Sequence, residues 1–286
     1  MSGKIVFYEF FIYFIKGVII FSFFTGNIQY FRSIEKNNIM LKITPQRLRR
    51  WKLIITAVLM EKRIIRDIIE WDIENWKYAL TFWEREAGDI SGARVLDIGA
   101  RKGGLSLYCA LKGCTVICSD VNTPEQTAKP LHIRYNVSHR IEYAAVDALN
   151  IPFSDSEFDI VIFKSVLGGV GRDNHPERQY AAVGEMHRVL KPGGKLLFAE
   201  NLRGSLLHQY LRGWFVRWGA SWRYLSVDEL HNLFALFSSL SVRCYGFFGA
   251  FGRTEFQRRL LHIPDALLNP VLPDRWKYIL FGCAVK

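Results

Sequence analysis

After Gly92 the chain alternates short apolar runs with amphipathic stretches. Arg94 to Ile98, Thr115 to Ser119, Ile141 to Val146, Phe158 to Phe163 and Lys195 to Glu200 are near-continuous apolar segments of strand length, the pattern of strands buried on both faces. Between them, Leu105 to Lys112, Glu125 to Asn136 and Glu177 to Leu190 read as helices, with Lys191-Pro192-Gly193-Gly194 stopping the last. That order predicts an α/β fold: a parallel sheet, helices on both faces, and ligands at the carboxyl ends of the strands. Upstream, Thr44 to Trp83 has apolar residues at 3.6-residue spacing, and Thr44-Pro45 makes a fair helix start. Residues 40–90 therefore read as a helical cap, with Trp71, Trp76 and Trp83 filling a core. Downstream, Ser226 to Phe237 reads as a helix with Ser226 as cap and Glu229 in a capping-box position, and Leu240 to Phe247 and Lys277 to Val285 read as strands.

The N-terminus follows a different pattern. Ile5 to Phe24 is a 20-residue apolar run broken by Glu9, Lys16, Gly17 and Ser22, long enough to span a bilayer as a helix. Lys4 precedes it, while Arg32, Lys36, Lys42 and the Arg47, Arg49, Arg50, Lys52 cluster follow, which by the positive-inside rule would leave the rest of the chain cytoplasmic, at the inner face of the membrane. No small-residue cleavage site follows, which argues against a signal peptide. The alternatives are a hydrophobic helix packed on the domain or a translated stretch ahead of Met40. Residues 1–39 are set apart as a hydrophobic segment on either reading.

Composition narrows the class. Of 286 residues, 50% are hydrophobic and 23% charged, which excludes a disordered chain, and 22 Gly with 9 Pro excludes collagen-like material. Five cysteines with no Cys-x-x-Cys pair imply free, mostly buried thiols in a reducing compartment and offer no metal-ligand set. The net charge of +11 divides as +4 over residues 1–93, +1 over 94–201 and +6 over 202–286. Its excess is Arg scattered among aromatics rather than a stripe on a recognisable module, so an acidic substrate or a membrane surface fits better than nucleic acid.

The first predicted strand runs into Asp97-Ile98-Gly99-Ala100-Arg101-Lys102-Gly103-Gly104, a glycine turn opening a helix, where a ligand can lie against the main chain. The second ends at Asp120, where a carboxylate can accept both hydroxyls of a ribose, and the third at Asp147-Ala148, where a carboxylate and an amide can meet an adenine edge. Together with the stretches Val146 to Val166 and Glu185 to Asn201, these residues resemble the class I S-adenosylmethionine-dependent methyltransferases, type 11, over Gly92 to Asn201. The resemblance implies a Rossmann-like three-layer sandwich: a mostly parallel seven-stranded sheet closed by an antiparallel C-terminal hairpin, preceded by N-terminal helices, with residues 91–286 as the catalytic domain. It also implies S-adenosyl-L-methionine as cofactor, held by Asp97, Gly99, Arg101, Gly103, Asp120, Asp147 and Ala148. Arg101 departs from the family turn, which carries a glycine there; if it needs positive φ it costs ~1 kcal/mol or more.

An activated methyl group leaves the protein mainly to align an acceptor and exclude water, with a base only where the acceptor must lose a proton. Lys164, Asp173, His175 and Glu200 are the candidates, with His208 further on. The Asn/Asp-Pro-Pro-Tyr/Phe signature of many amino-group methylases is absent after the fourth strand, where Phe163-Lys164-Ser165-Val166 stands. From 202 to 225 an insert interleaves Arg203, Arg212, Arg217 and Arg223 with Tyr210, Trp214, Phe215, Trp218 and Trp222, either to recognise substrate or as an amphipathic packing helix. The expected partner is a small or lipid-linked acidic acceptor, such as a glycan or glycolipid intermediate, and not nucleic acid. Two rivals stand beside this reading. One is a catalytically silent module of the same fold acting as a membrane-tethered binding partner; the other is a nicotinamide-dependent oxidoreductase, whose Gly-x-Gly-x-x-Gly is missing.

Overall fold

The computed structural model describes residues 11–15, 18–25, 28–33, 60–215 and 221–286, with side chains from residue 60 onward except 213–220. The chain divides into two compact units, Met1–Glu61 and Lys62–Lys286. In the first, β1 (Phe11–Ile15), β2 (Val18–Thr25) and β3 (Ile28–Ser33) pair in sequence as an antiparallel meander. From Phe11 onward the apolar run is thus two paired strands and not one helix, with Phe11 opposite Ser22 and Ile15 opposite Val18. Its first residues, and the helix start at Thr44-Pro45, lie outside the described residues. No helix among the described residues is long and apolar enough to cross a membrane.

The second unit is built on seven strands: β4 (Arg94–Ile98), β5 (Thr115–Asp120), β6 (Ile141–Ala145), β7 (Phe158–Lys164), β8 (Leu190–Asn201), β9 (Ser239–Tyr245) and β10 (Ile279–Val285). Their order is β6-β5-β4-β7-β8-β10-β9, with β10 antiparallel to both its neighbours and the other pairs parallel. Successive side chains of a strand face opposite ways, and both faces are buried. Val95, Ile160 and Ile162 enter a core with Trp83 and Leu107, whereas Leu96, Val161 and Phe163 enter one with Val183 and Met186. The first core receives α1 (residues 60–69), α3 (Tyr78–Ala87), α4 (Gly104–Leu111) and α5 (Glu125–Arg134), the second α7 (Pro176–Val189). Between α1 and α3 lies the single turn α2 (Ile73–Trp76). The order reverses at β4, with β5 and β6 following on one side and β7 and β8 on the other, a switch point that opens a crevice at the carboxyl ends of the strands.

All five cysteines are free and buried, as expected. The differences from the sequence reading lie at the edges. β8 begins at Leu190, so Lys191 to Gly194 extends a strand where a helix stop was expected; Leu190 pairs with Phe158 ahead of a register shift. Ser226 does cap with Glu229, but the helix behind it is short, a 3-10 turn and then α9 (Leu230–Leu233). Two further helices were foreseen weakly or not at all: α8 (Leu206–Phe215) within the Arg/aromatic insert, and α10 (Glu255–Leu268), preceded by the turn Phe248–Phe251. A one-turn helix, α6 (Leu167–Val170), follows β7.

Candidate functional site

The turn after β4 is shaped by residues that must avoid contact. Gly99 has φ +69° and Gly103 φ +77°, and a Cβ at Gly99 would stand 2.6 Å from Val166 Cγ2. At Gly103 a Cβ would meet His132 Nε2 at 2.5 Å. His132 explains the second contact: burial holds its pKa below the ordinary value, and its Nε2 lies 2.9 Å from the Gly103 carbonyl. A carbonyl only accepts, so Nε2 carries the proton, and Nδ1 accepts from the Tyr143 hydroxyl at 2.8 Å. A buried neutral imidazole on α5 thus fixes the turn.

Asp97, the residue before this turn, is fully buried. Ser106 Oγ donates to its Oδ2 at 2.6 Å, while Oδ1 has no hydrogen-bond partner. Burial pushes its carboxyl up to about 7 against the Ser106 hydrogen bond. An orphaned buried carboxylate oxygen is costly unless a ligand donates to it. Asp120 ends β5 alongside: it accepts from Arg101 N–H at 3.1 Å and Val121 N–H at 2.8 Å, one on each oxygen, leaving lone pairs toward solvent. Val146 N–H bonds Asp120 O at 2.8 Å, so the chain leaving β6 passes beside it. Asp147 is exposed and caps its own turn through Leu149 N–H, and Ala148 is buried. The ends of β4, β5 and β6 therefore lie side by side, and of the three acids Asp97 lines the cavity next to the turn while Asp120 and Asp147 do not.

Arg101 does take positive φ, +51°, and its main chain joins the turn through Asp120. Its guanidinium turns away from Asp120 to lie over Trp71, 4.6 Å from the ring centroid. Lys164 at the end of β7 also lies over Trp71, its Nζ 3.1 Å from the centroid and donating to Ile69 O at 2.6 Å. These groups close a cavity of about 10 Å³, room for about one water, with Ile69, Glu70, Trp71, Asp97, Gly99 and Lys164 in its lining. Burial drives the Lys164 amine well below its ordinary pKa, opposed by Glu70 and Asp72, and it raises Glu70, opposed by Arg101 and Lys164. Glu70 and Asp72 flank Trp71 at φ +70° and +48°, a strained strap. Trp71 was expected to be plain core. The signal overlooked was its setting in Glu70-Trp71-Asp72, acids on either side within an apolar helical pattern. Ser106 and His132 left no such mark.

The remaining candidates lie elsewhere. Asp173 (φ +58°) is exposed after α6, its N–H bonded to Ser221 O, and His175 pairs with Glu177 at 2.6 Å; neither lines the cavity. Glu200 is fully buried at the end of β8 and accepts from Val166, Leu167 and Asn201 N–H at 2.8–2.9 Å. It holds the turn that carries Val166 against Gly99. His208 is buried against Phe247 O. In the insert, Arg212 stacks on Tyr224 and donates to Leu202 O and Arg203 O, while Arg223 pairs with Glu229 and bonds Gln179. These two guanidinium groups serve packing; Arg217, Trp214, Phe215 and Trp218 have no described side chains.

The geometry has counterparts in known proteins. Residues 96–198 match the sequence model of a methyltransferase domain family. An uncharacterized protein of Mycobacterium tuberculosis is 37% identical over 110 residues, 38% of this chain and 38% of the relative. A demethylmenaquinone methyltransferase of Clavibacter sepedonicus is 30% identical over 125 residues, 44% of this chain and 46% of that protein. The match thus spans less than half the length of these relatives. Among solved structures, a Haemonchus contortus phosphoethanolamine N-methyltransferase bound to S-adenosylhomocysteine shares the fold, with TM-score 0.54, 19% identity and coverage of 74% of this chain and 52% of that one.

Proposed function

From the premise that the chain carries a methyltransferase domain over residues 96–198, we propose that it transfers a methyl group from S-adenosyl-L-methionine to a small or lipid-linked acceptor. The observation that carries this is that Asp97, Asp120 and Asp147 stand at or just beyond the ends of three adjacent strands, beside a glycine turn too tight for Cβ atoms. When bound, the cofactor supplies a methyl group already activated on a sulfonium. The chain's part is binding and placement. Asp97 Oδ1 awaits a donor, the fit expected for an amino-acid ammonium. Asp120 keeps acceptor capacity for vicinal hydroxyls, and Asp147 with the Ala148 amide is offered to a base edge. Trp71 and Glu70 of the strap line the cavity. Of the four candidate bases, Lys164 alone lines the cavity, and its suppressed pKa suits a neutral amine that takes a proton.

The acceptor class rests on separate observations. A relative named for demethylmenaquinone methylation favours a lipid-soluble acceptor, and engagement of Arg212 and Arg223 within the fold removes part of the case for an acidic one. Incubation with methyl-labelled cofactor and fractionated cell extract tests the reading: label in a lipid or saccharide fraction, lost in Lys164→Met, supports it, and label confined to protein or nucleic acid rejects it.

A second reading has one observation in its favour. Arg101 at positive φ clamps Trp71 over the cavity, which fits a module of this fold that takes no cofactor and serves as a binding partner. Failure of the cofactor to bind would select it.

A further inference from the structure

Helix α10 turns an apolar stripe outward. Phe256, Leu260, Ile263, Leu267 and, just beyond the helix, Val271 recur every three or four residues and are 52–75% exposed. The helix cannot rotate to bury them, because its opposite face is committed. Asp265 is fully buried and accepts from Phe247, Phe248 and Gly249 N–H at 2.6–2.9 Å, and Thr254 with Gln257 forms a capping box at the start. Helix α8 reaches the same turn. Its His208 stacks on Phe251 in the turn that α10 packs against, while Leu206, Leu207 and Tyr210 are exposed.

The segment around the stripe carries an excess of cations. Arg253, Arg259 and Arg275 are exposed between residues 253 and 276; Arg259 Nε reaches Glu74 at 3.6 Å while staying 63% exposed, and the exposed acid Asp274 is already paired with Lys277. Two copies of this surface pairing symmetrically would set cation against cation. We propose that α10, supported by α8, is a docking face for an anionic lipid bilayer, with the apolar stripe at the acyl boundary and the arginines among the headgroups. Docking of this kind stands whether or not the cavity transfers methyl groups.

The test is co-sedimentation of the full chain with phosphatidylcholine vesicles, with and without phosphatidylglycerol. The apolar N-terminus is retained throughout, so the comparison between variants decides. The expected result is preferential binding to phosphatidylglycerol vesicles that weakens with added salt. It falls about tenfold or more in the triple variant Leu260→Gln, Ile263→Gln, Leu267→Gln, with an unchanged thermal midpoint. Arg259→Glu with Arg275→Glu keeps the stripe and loses the anionic preference. Undiminished binding by the triple variant overturns the proposal. So does equal binding to neutral vesicles, or self-association in sedimentation velocity that the triple variant abolishes while lipid binding is absent.

Discussion

At the scale of single residues, the buried acids set the pH behaviour. Burial pushes Asp72, Asp97 and Glu200 each up to about 7, although Tyr278, Ser106 and backbone N–H groups respectively pull them down. The folded state therefore holds these protons more tightly than the unfolded chain. Their contribution is whole below the ordinary carboxylate range and is lost as pH rises from there through about 7. Glu185, held below its ordinary value by Arg188, acts in the opposite sense at lower pH, and so, as pH falls through about 6.5, do His132 and His208, kept neutral by burial; the three acids together outweigh them. Thermal unfolding is expected to show a midpoint several degrees higher at pH 5 than at pH 8, with Asp97→Asn flattening the difference; a profile rising toward pH 8 contradicts it. Asp120 and Asp147 were legible because a strand-end position after a correctly ordered strand is a property of local sequence. The Ser106 bond to Asp97 and the His132 brace were not, since nothing local distinguishes a helix serine or histidine that happens to face a turn.

Among elements, the glycine turn and the strap are the parts on which binding depends. Gly103→Ala meets both a positive φ and the buried His132 ring, so a loss of ~2–4 kcal/mol in stability is expected, with cofactor affinity falling alongside; chemical denaturation and calorimetry read the two. Arg101→Gly removes the cost of a left-handed arginine, ~1–2 kcal/mol, and also the cation over Trp71, worth a comparable amount. Stability is expected to stay within ~1 kcal/mol of wild type while the cofactor associates faster, because the strap loses its clamp. The five central strands were readable because burial on both faces leaves continuous apolar runs, and their bounds fall within a few residues of expectation except where β8 starts early. Helix α10 escaped although its apolar residues keep helical spacing, because Pro264 stands inside it and interrupts the run. The run from Phe11 escaped for a related reason: length and apolarity suit a bilayer helix and a strand pair equally, and Phe, Ile and Val favour strands.

For the whole second unit, one polar network ties the strap to the C-terminal part of the chain. Asn75 donates to Tyr278 at 2.7 Å and to Asp265 at 3.2 Å, Tyr278 bonds Asp72, and Glu255 accepts from Asp72 and Ile73 N–H. These contacts span about 180–210 residues of sequence. Asp265→Ala strands three main-chain N–H groups and is expected to cost ~2–4 kcal/mol in denaturant unfolding. It also frees the strap, so access to the cavity should rise even as stability falls. The central claim, that the loops after three neighbouring strands form one adenosyl-sulfonium site, is met most directly by titration calorimetry of the full chain with S-adenosylmethionine. One site with micromolar affinity, weakened at least about a hundredfold in Asp120→Ala, is the predicted result. Absence of heat at millimolar ligand, or equal affinity in the variant, would contradict it.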